Sequence, residues 1–201
     1  MKPADVFVNV PFDSGYERNF LALVAGLVAL GRTPRCVLEL PASTNRLRRI
    51  VDLIKQCPVS FHDVSRVTST RTPQGLAPRF NMPFELGLAV ARSREGGGSH
   101  RFFVLEARRY RLQSTLSDMN GSDPLIHHDR PHDVLRCVLD ALGVARKRQP
   151  TLADLRELYS RLEVWLSQEK RAGRISGAFG AHNFRTVVAA ATRTAQDMGL
   201  I

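Results

Sequence analysis

The sequence predicts an α/β fold, a doubly wound and mainly parallel sheet of about five strands followed by a C-terminal helical hairpin. Three observations carry this reading. Short β-branched and aromatic runs alternate with helical periodicity over residues 5–142, the runs end in turn-rich segments, and beyond a basic, Pro-terminated link the periodicity is purely helical. Strands alternating with helices at this pace imply right-handed βαβ crossovers.

Residues 5–10 (DVFVNV) read as the first strand, ended by Pro11 and the turn-rich Asp13-Ser14-Gly15. Phe20, Leu23, Val24, Leu27 and Leu30 recur at helical spacing and stop at Gly31, a natural residue for the position just past a helix. Residues 35–40 (RCVLEL) read as the second strand and residues 45–57 as a helix with Leu47, Ile50, Val51 and Ile54 on one face. The third strand covers residues 59–62. A polar stretch over residues 64–79 precedes a helix predicted over residues 83–93. Gly96-Gly97-Gly98-Ser99 then reads as a flexible connection to a strand at residues 101–105 (RFFVL). A short strand over residues 124–127 and an amphipathic helix over residues 133–142 complete a sheet domain expected to span residues 1–145.

Composition changes at residues 143–150 (GVARKRQP), and residues 146–201 form the second unit. Leu152, Leu155, Tyr159, Leu162 and Leu166 lie on one helical stripe; Phe184, Val188, Ala191, Ala195 and Met198 lie on another. The two stripes predict an antiparallel pair joined around residues 172–180. Either the pair packs on the sheet domain, or it joins two copies of the chain into a homo-oligomer.

A chain of 201 residues with 43% hydrophobic content and a charge of +10 is not kept disordered by charge and poor burial. It is long enough to bury roughly 70% of its unfolded surface, so it needs no metal, disulfide or cofactor to fold. The positive charge suits anionic partners, whether nucleic acid, a nucleotide or dinucleotide, or an anionic membrane, or serves solubility alone, and net charge does not choose among them. Nucleic acid is less favoured than a nucleotide, because the basic residues are scattered and lack interleaved aromatic platforms, and no membrane partner is expected. Cys36, Cys57 and Cys137 have no C-x-x-C pairing and read as small hydrophobes in a reducing compartment. No signal-like apolar block and no apolar run of ~20 residues occur, so a cytoplasmic protein without a membrane segment is expected. Walker A, G-x-G-x-x-G, H-E-x-x-H and G-x-S-x-G patterns are missing, which weighs against P-loop, classical dehydrogenase, zincin and α/β-hydrolase chemistry.

In open parallel sheets, ligands bind beyond the carboxyl ends of the strands. The informative residues are therefore Asn9, Phe12, Asp13 and Tyr16 after the first strand, Asp63, Ser65 and Arg66 after the third, and Asn81 and Glu85 opening the next helix. Glu85 is the sharpest. With Asn81 as N-cap and Pro83 near the start, it falls in the first turn of a helix whose other faces are apolar, where the positive helix end keeps it ionised. Such a carboxylate stabilises or attacks an oxocarbenium-like sugar carbon; an ordinary helix-start glutamate fits the same position. Gly87 lets that helix lie close to a strand or ligand. Asp63 suits ribose hydroxyls, a base, or a cap, and Asp13 suits a turn. Arg46, Arg48, Arg49 and Arg66 suit phosphates or a solvated face. His127, His128 and His132 are spaced poorly for a metal and read as structural or surface residues, so no metal site is expected.

The segments VFVNVPFD (6–13), FHDVSR (61–66) and PRFNMPFELGLA (78–89) resemble a bacterial family of TIR-like proteins and, more remotely, nucleoside 2-deoxyribosyltransferases. The resemblance covers residues 5–142. It implies a flavodoxin-like, TIR-like sheet in which Glu85 acts on the anomeric carbon of a nucleoside or NAD and Asp63 is the acidic residue after the third strand. Asn9 and Asp13 match the general position of the first-strand loop. The deoxyribosyltransferases carry an acidic residue and a Gly-Thr pair ahead of their glutamate, where this chain has Arg79-Phe80-Asn81-Met82, a departure that weighs against deoxyribosyl transfer.

The expected function is cleavage of the N-glycosidic bond of NAD or a related nucleotide, as substrate rather than cofactor. Glu85 and Asp63 are the expected catalytic residues, with Asn9, Phe12, Asp13, Ser65, Arg66 and Asn81 binding the ligand. The alternative is a non-catalytic nucleotide sensor or scaffold. TIR-like enzymes are often switched on by assembly, so a homo-oligomer through the C-terminal helices is expected as well.

Overall fold

Alternation along one strand sets the two faces of the sheet. In the computed structural model, which describes residues 4–39, 45–67, 70–72, 75–77, 79–95, 100–143 and 149–201, β1 spans Ala4–Asn9. Val6 and Val8 pack into one hydrophobic cluster, whereas Phe7 packs into another on the opposite face. The remaining strands of the main sheet are β2 (Arg32–Arg35), β3 (Val59–Asp63), β6 (Arg101–Glu106) and β7 (Leu125–Ile126). They join β1 in the order β2-β1-β3-β6-β7, all parallel, which is the flavodoxin-like winding. Two short antiparallel strands, β4 (Thr70–Thr72) and β5 (Gly75–Ala77), form a separate hairpin inside the stretch that the sequence showed only as polar.

Helix α1 (Glu17–Ala29) is buried almost all round, from Asn19 to Ala29. It packs against the sheet, α5 (Pro131–Leu142), α6 (Leu152–Arg171) and α7 (Ala181–Asp197). Gly26 allows a close approach to α5: a Cβ there would stand 3.2 Å from Val138 Cγ1. Gly31 closes the helix with φ of +66°, as its position predicts. The opposite face of the sheet carries α2 (Arg46–Gln56) and α3 (Asn81–Arg94). A short helix, α4 (Arg111–Thr115), supplies Leu112 to the small core shared by Val64, Met82, Leu86 and Val104.

The C-terminal pair belongs to the main core. Leu155, Leu158, Tyr159 and Leu162 of α6 and Phe184, Val187 and Ala191 of α7 share one cluster with Phe20, Leu23 and Leu27 of α1. At ~1.5–3 kcal/mol for each large apolar side chain removed from water, this face contributes strongly to holding the pair on the sheet domain. Polar contacts fix its register. Glu17 accepts from the Ala178 backbone N–H and from Lys170, both at 2.8 Å, and Arg18 pairs with Glu163 at 2.8 Å. Thr151 and Asp154 form a reciprocal capping box at the start of α6.

Two predicted elements are corrected. The second strand lies earlier than residues 35–40: it is the four-residue edge strand Arg32–Arg35, and Val37–Glu39 turn as a 3-10 helix. An edge strand tolerates Pro34, while Glu39 accepts from the Cys36 N–H at 2.9 Å and from Arg35, pinning the turn. Helix α3 starts at Asn81 rather than Pro83, with Phe80 at the cap position and no side-chain cap. Leu40, Pro78, the connection at residues 96–99 and residues 144–148 of the basic link lie outside the described residues. No helix among the described residues is long and apolar enough to cross a membrane. Cys36, Cys57 and Cys137 are free and buried.

Candidate functional site

The winding reverses between β1 and β3, and there the connections after neighbouring strands leave on opposite faces, opening a crevice. A cleft of about 850 Å³ lies at this point. Asn9, Pro11 and Phe12 from the end of β1, Arg46, Leu47 and Ile50 from α2, and Arg79, Phe80, Asn81, Met82, Phe84 and Glu85 from the start of α3 line it. Its size falls within the usual range of small-molecule sites.

Glu85 is only 7% exposed, and its Oε2 is buried without a hydrogen-bond partner. Because α3 begins at Asn81, Glu85 sits in the second turn, not the first. The positive end of its own helix therefore does not hold it, and the expectation that Glu85 is kept ionised is corrected. Burial pushes its carboxyl up to about 7, partly opposed by the nearby Arg46 guanidinium. Gly87 has no packing role either, since a Cβ there would meet nothing within 4 Å.

Asn9 closes the floor of the cleft. Its Nδ2 donates to the Met82 carbonyl at 2.9 Å and to His62 Nδ1 at 3.0 Å. Both amide hydrogens are used, so the group Asn9 offers the cleft is its Oδ1 acceptor. The contact with His62 follows from register, Asn9 facing His62 across the parallel β1–β3 pair. Behind it runs a directed chain: His62 Nε2 donates to Ser60 Oγ at 2.8 Å, Ser60 Oγ donates to His100 Nε2 at 2.9 Å, and His100 Nδ1 donates to the Cys57 carbonyl at 2.8 Å. One proton assignment satisfies every link, and it keeps both rings neutral. Burial, with His100 adding to it, pushes His62 down to about 3, in keeping with that assignment.

The expected partnership of Asp63 with Glu85 is corrected. Neighbouring residues of a strand point to opposite faces, so with His62 turned toward the cleft Asp63 turns toward α1. Asp63 is fully buried, receives the Tyr16 hydroxyl hydrogen bond, accepts from the Ser65 N–H at 2.8 Å, and has His127 Nε2 3.0 Å away. Burial alone would raise its carboxyl, but His127, Ser65 and Tyr16 outweigh it and hold it below the ordinary value. His127 is fully buried rather than at the surface.

The remaining candidates divide between two places. Phe12 and Asn81 line the cleft with Glu85, whereas Ser65 and Arg66 line a second hollow beyond β6 and β7. Asn81, expected to cap α3, is instead its exposed first residue. Asp13 caps the Ser14–Tyr16 turn by accepting from the Tyr16 N–H at 3.1 Å. It also joins the two places, its Oδ1 pairing with Arg66 at 3.3 Å and its Oδ2 with Arg79 at 3.0 Å.

Scans against family models, curated proteins and solved structures return no match to this chain. The site therefore rests on its own geometry. Residues missed in the sequence are His62, whose link to Asn9 needed the register, and the pair Phe80 and Phe84. These two are 70% and 54% exposed at the cleft rim. Two phenylalanines one helical turn apart beside a predicted helix start were a legible signal, since large apolar residues there have little packing to gain.

Proposed function

We propose that the chain cleaves the N-glycosidic bond of NAD or a related nucleotide in the cleft above β1 and β3. One observation carries this: a buried carboxyl without a hydrogen-bond partner for its Oε2, lining a cleft large enough for a nucleoside, is costly unless something it binds repays the cost. The exposed rings of Phe80, Phe84 and Phe12 suit the face of a base, and Asn9 Oδ1 suits a ribose hydroxyl.

In this reading the C1′–N bond breaks with its electron pair going to the departing base, and the ionised Glu85 stabilises the positive charge growing on the ribose. Water then bonds to C1′ and gives a proton to Glu85, whose position near neutrality suits that exchange. A cationic nicotinamide ring and Arg46 both favour the ionised form. Asp63 has no part in these steps, because it faces the other side of the sheet.

A binding-only sensor is the second reading. It is favoured by the cleft holding Glu85 as its sole acidic lining residue among those described. Incubation of the purified protein with NAD separates the two. Nicotinamide release that disappears in Glu85→Gln is expected; an inert wild type in its assembled form, or an active Glu85→Gln protein, removes the enzyme reading.

A further inference from the structure

The second hollow, about 520 Å³, is lined by Ser65, Arg66, Ala107, Arg108, Arg111, His128 and Asp129 at the carboxyl ends of β3, β6 and β7. Of its three arginines, Arg66 pairs with Asp129 at 3.1 Å and with Asp13 at 3.3 Å, and Arg111 pairs with the buried Glu106 behind the wall. Arg111 is held rigidly. Its Nε and Nη2 grip the buried Glu106 at 3.0 and 2.7 Å, and Nη2 also donates to the Val64 carbonyl at 3.0 Å. This anchoring leaves both Nη1 hydrogens of the fork unassigned. Arg108 is exposed and forms no ion pair among the described residues.

The wall of the hollow contains a polar group whose nearest protein partner, the Asp63 carboxylate, does not complete a well-formed hydrogen bond with it. Ser65 is 7% exposed, and its Oγ is buried without a hydrogen-bond partner, although its own N–H is fixed by Asp63 at 2.8 Å. His128 and Asp129, on the opposite wall, hold φ of +53° and +56°, a conformation that non-glycine residues adopt rarely. A hydroxyl donor, a pre-aimed guanidinium and a free cation around one hollow form the donor set of a tetrahedral oxyanion.

We infer that the hollow formed by Ser65, Arg108 and Arg111 is a binding site for a phosphoryl group. A carboxylate has one charge and two oxygens to set against these donors, whereas a phosphate or diphosphate has more of both and is the ligand class that fits. The site stands independently of the chemistry at Glu85. The phosphoryl group has two sources, a free anion or a nucleotide reaching from the first cleft across the Arg79–Asp13–Arg66 bridge.

Calorimetry with the full chain tests this, using inorganic pyrophosphate, adenosine and ADP-ribose as probes. Pyrophosphate is expected to bind, and Arg108→Gln and Ser65→Ala are each expected to weaken it about 10-fold, the scale of one charge-assisted hydrogen bond. Arg108→Gln leaves the observed hydrogen bonds of the fold in place, so its loss of binding is readable as a loss of the site; Ser65→Ala also removes a side-chain contact with Asp63, so its unfolding midpoint is measured beside its affinity. ADP-ribose binding tighter than adenosine, with that advantage lost in Arg108→Gln, supports the site with a nucleotide source. Equal affinities with pyrophosphate still bound support it with a free-anion source. Absence of pyrophosphate and ADP-ribose binding, or binding indifferent to both substitutions, overturns the inference.

Discussion

The side-chain amide of Asn9 donates to the main-chain carbonyl of Met82 at 2.9 Å, tying the end of β1 to the first turn of the helix that carries Glu85. The same nitrogen donates to His62 Nδ1, so one amide positions three elements around the cleft.

Asn9→Asp replaces that donor with a carboxylate oxygen facing a carbonyl and an imidazole acceptor. Loss of two buried hydrogen bonds and burial of a charge predict a destabilisation of about 3 kcal/mol or more. Denaturant unfolding at pH 7 measures it. An Asn9→Asp variant as stable as the wild type would mean that the amide does not hold α3 in place.

Glu85 should make stability depend on pH in a particular direction. Its carboxyl sits at about 7 in the folded chain against 4.5 ordinarily, so between these values the folded state binds more protons than the unfolded one. Stability from this group is therefore undiminished below pH 4.5, falls as pH rises toward 7, and levels off above, a total on the order of 3 kcal/mol. Glu85→Gln should remove that decline and leave the protein more stable than wild type at pH 8. Unfolding midpoints at pH 5 and pH 8 decide it; a wild-type decline that persists in the glutamine variant assigns the effect elsewhere.

Asp63 carries the opposite sign. Its folded-state value is depressed, so its contribution is present above the ordinary 3.8 and is lost as pH falls through the folded value. Asp63→Asn should cost about 2–4 kcal/mol at pH 7, with a gap that narrows in acid, while ligand affinity at the Glu85 cleft in the remaining folded protein stays within about 2-fold. A variant of unchanged stability that loses ligand binding would return Asp63 to the cleft.

Several features of the fold were legible because local physics dictates them. The alternation of Val6, Phe7 and Val8, the stop at Gly31 and the stripes of α6 and α7 follow from strand and helix periodicity, and the structure contains the elements they predict. The edge strand was misplaced because Arg32-Thr33-Pro34-Arg35 has no apolar signature, being held by pairing with β1 rather than by its own burial. The start of α3 lies two residues before the one the sequence suggests because Pro83 is equally comfortable anywhere in a first turn, and that shift takes Glu85 out of reach of the helix end.

Within the site, the chain order identified Glu85, Asn9 and Phe12 as neighbours of one strand-end cleft, since the parallel winding brings those positions together. It grouped Asp63, Ser65 and Arg66 with them as well, and there it could not succeed by proximity alone. Sequence by itself determined the α/β class, the parallel winding and most of the helices and central strands, because periodicity and turn chemistry act over a few residues. Only the tertiary structure decided which face each strand-end side chain takes and what surrounds it: register turned His62 toward Asn9 and Asp63 toward Tyr16, and burial rather than a helix end set the proton affinity of Glu85.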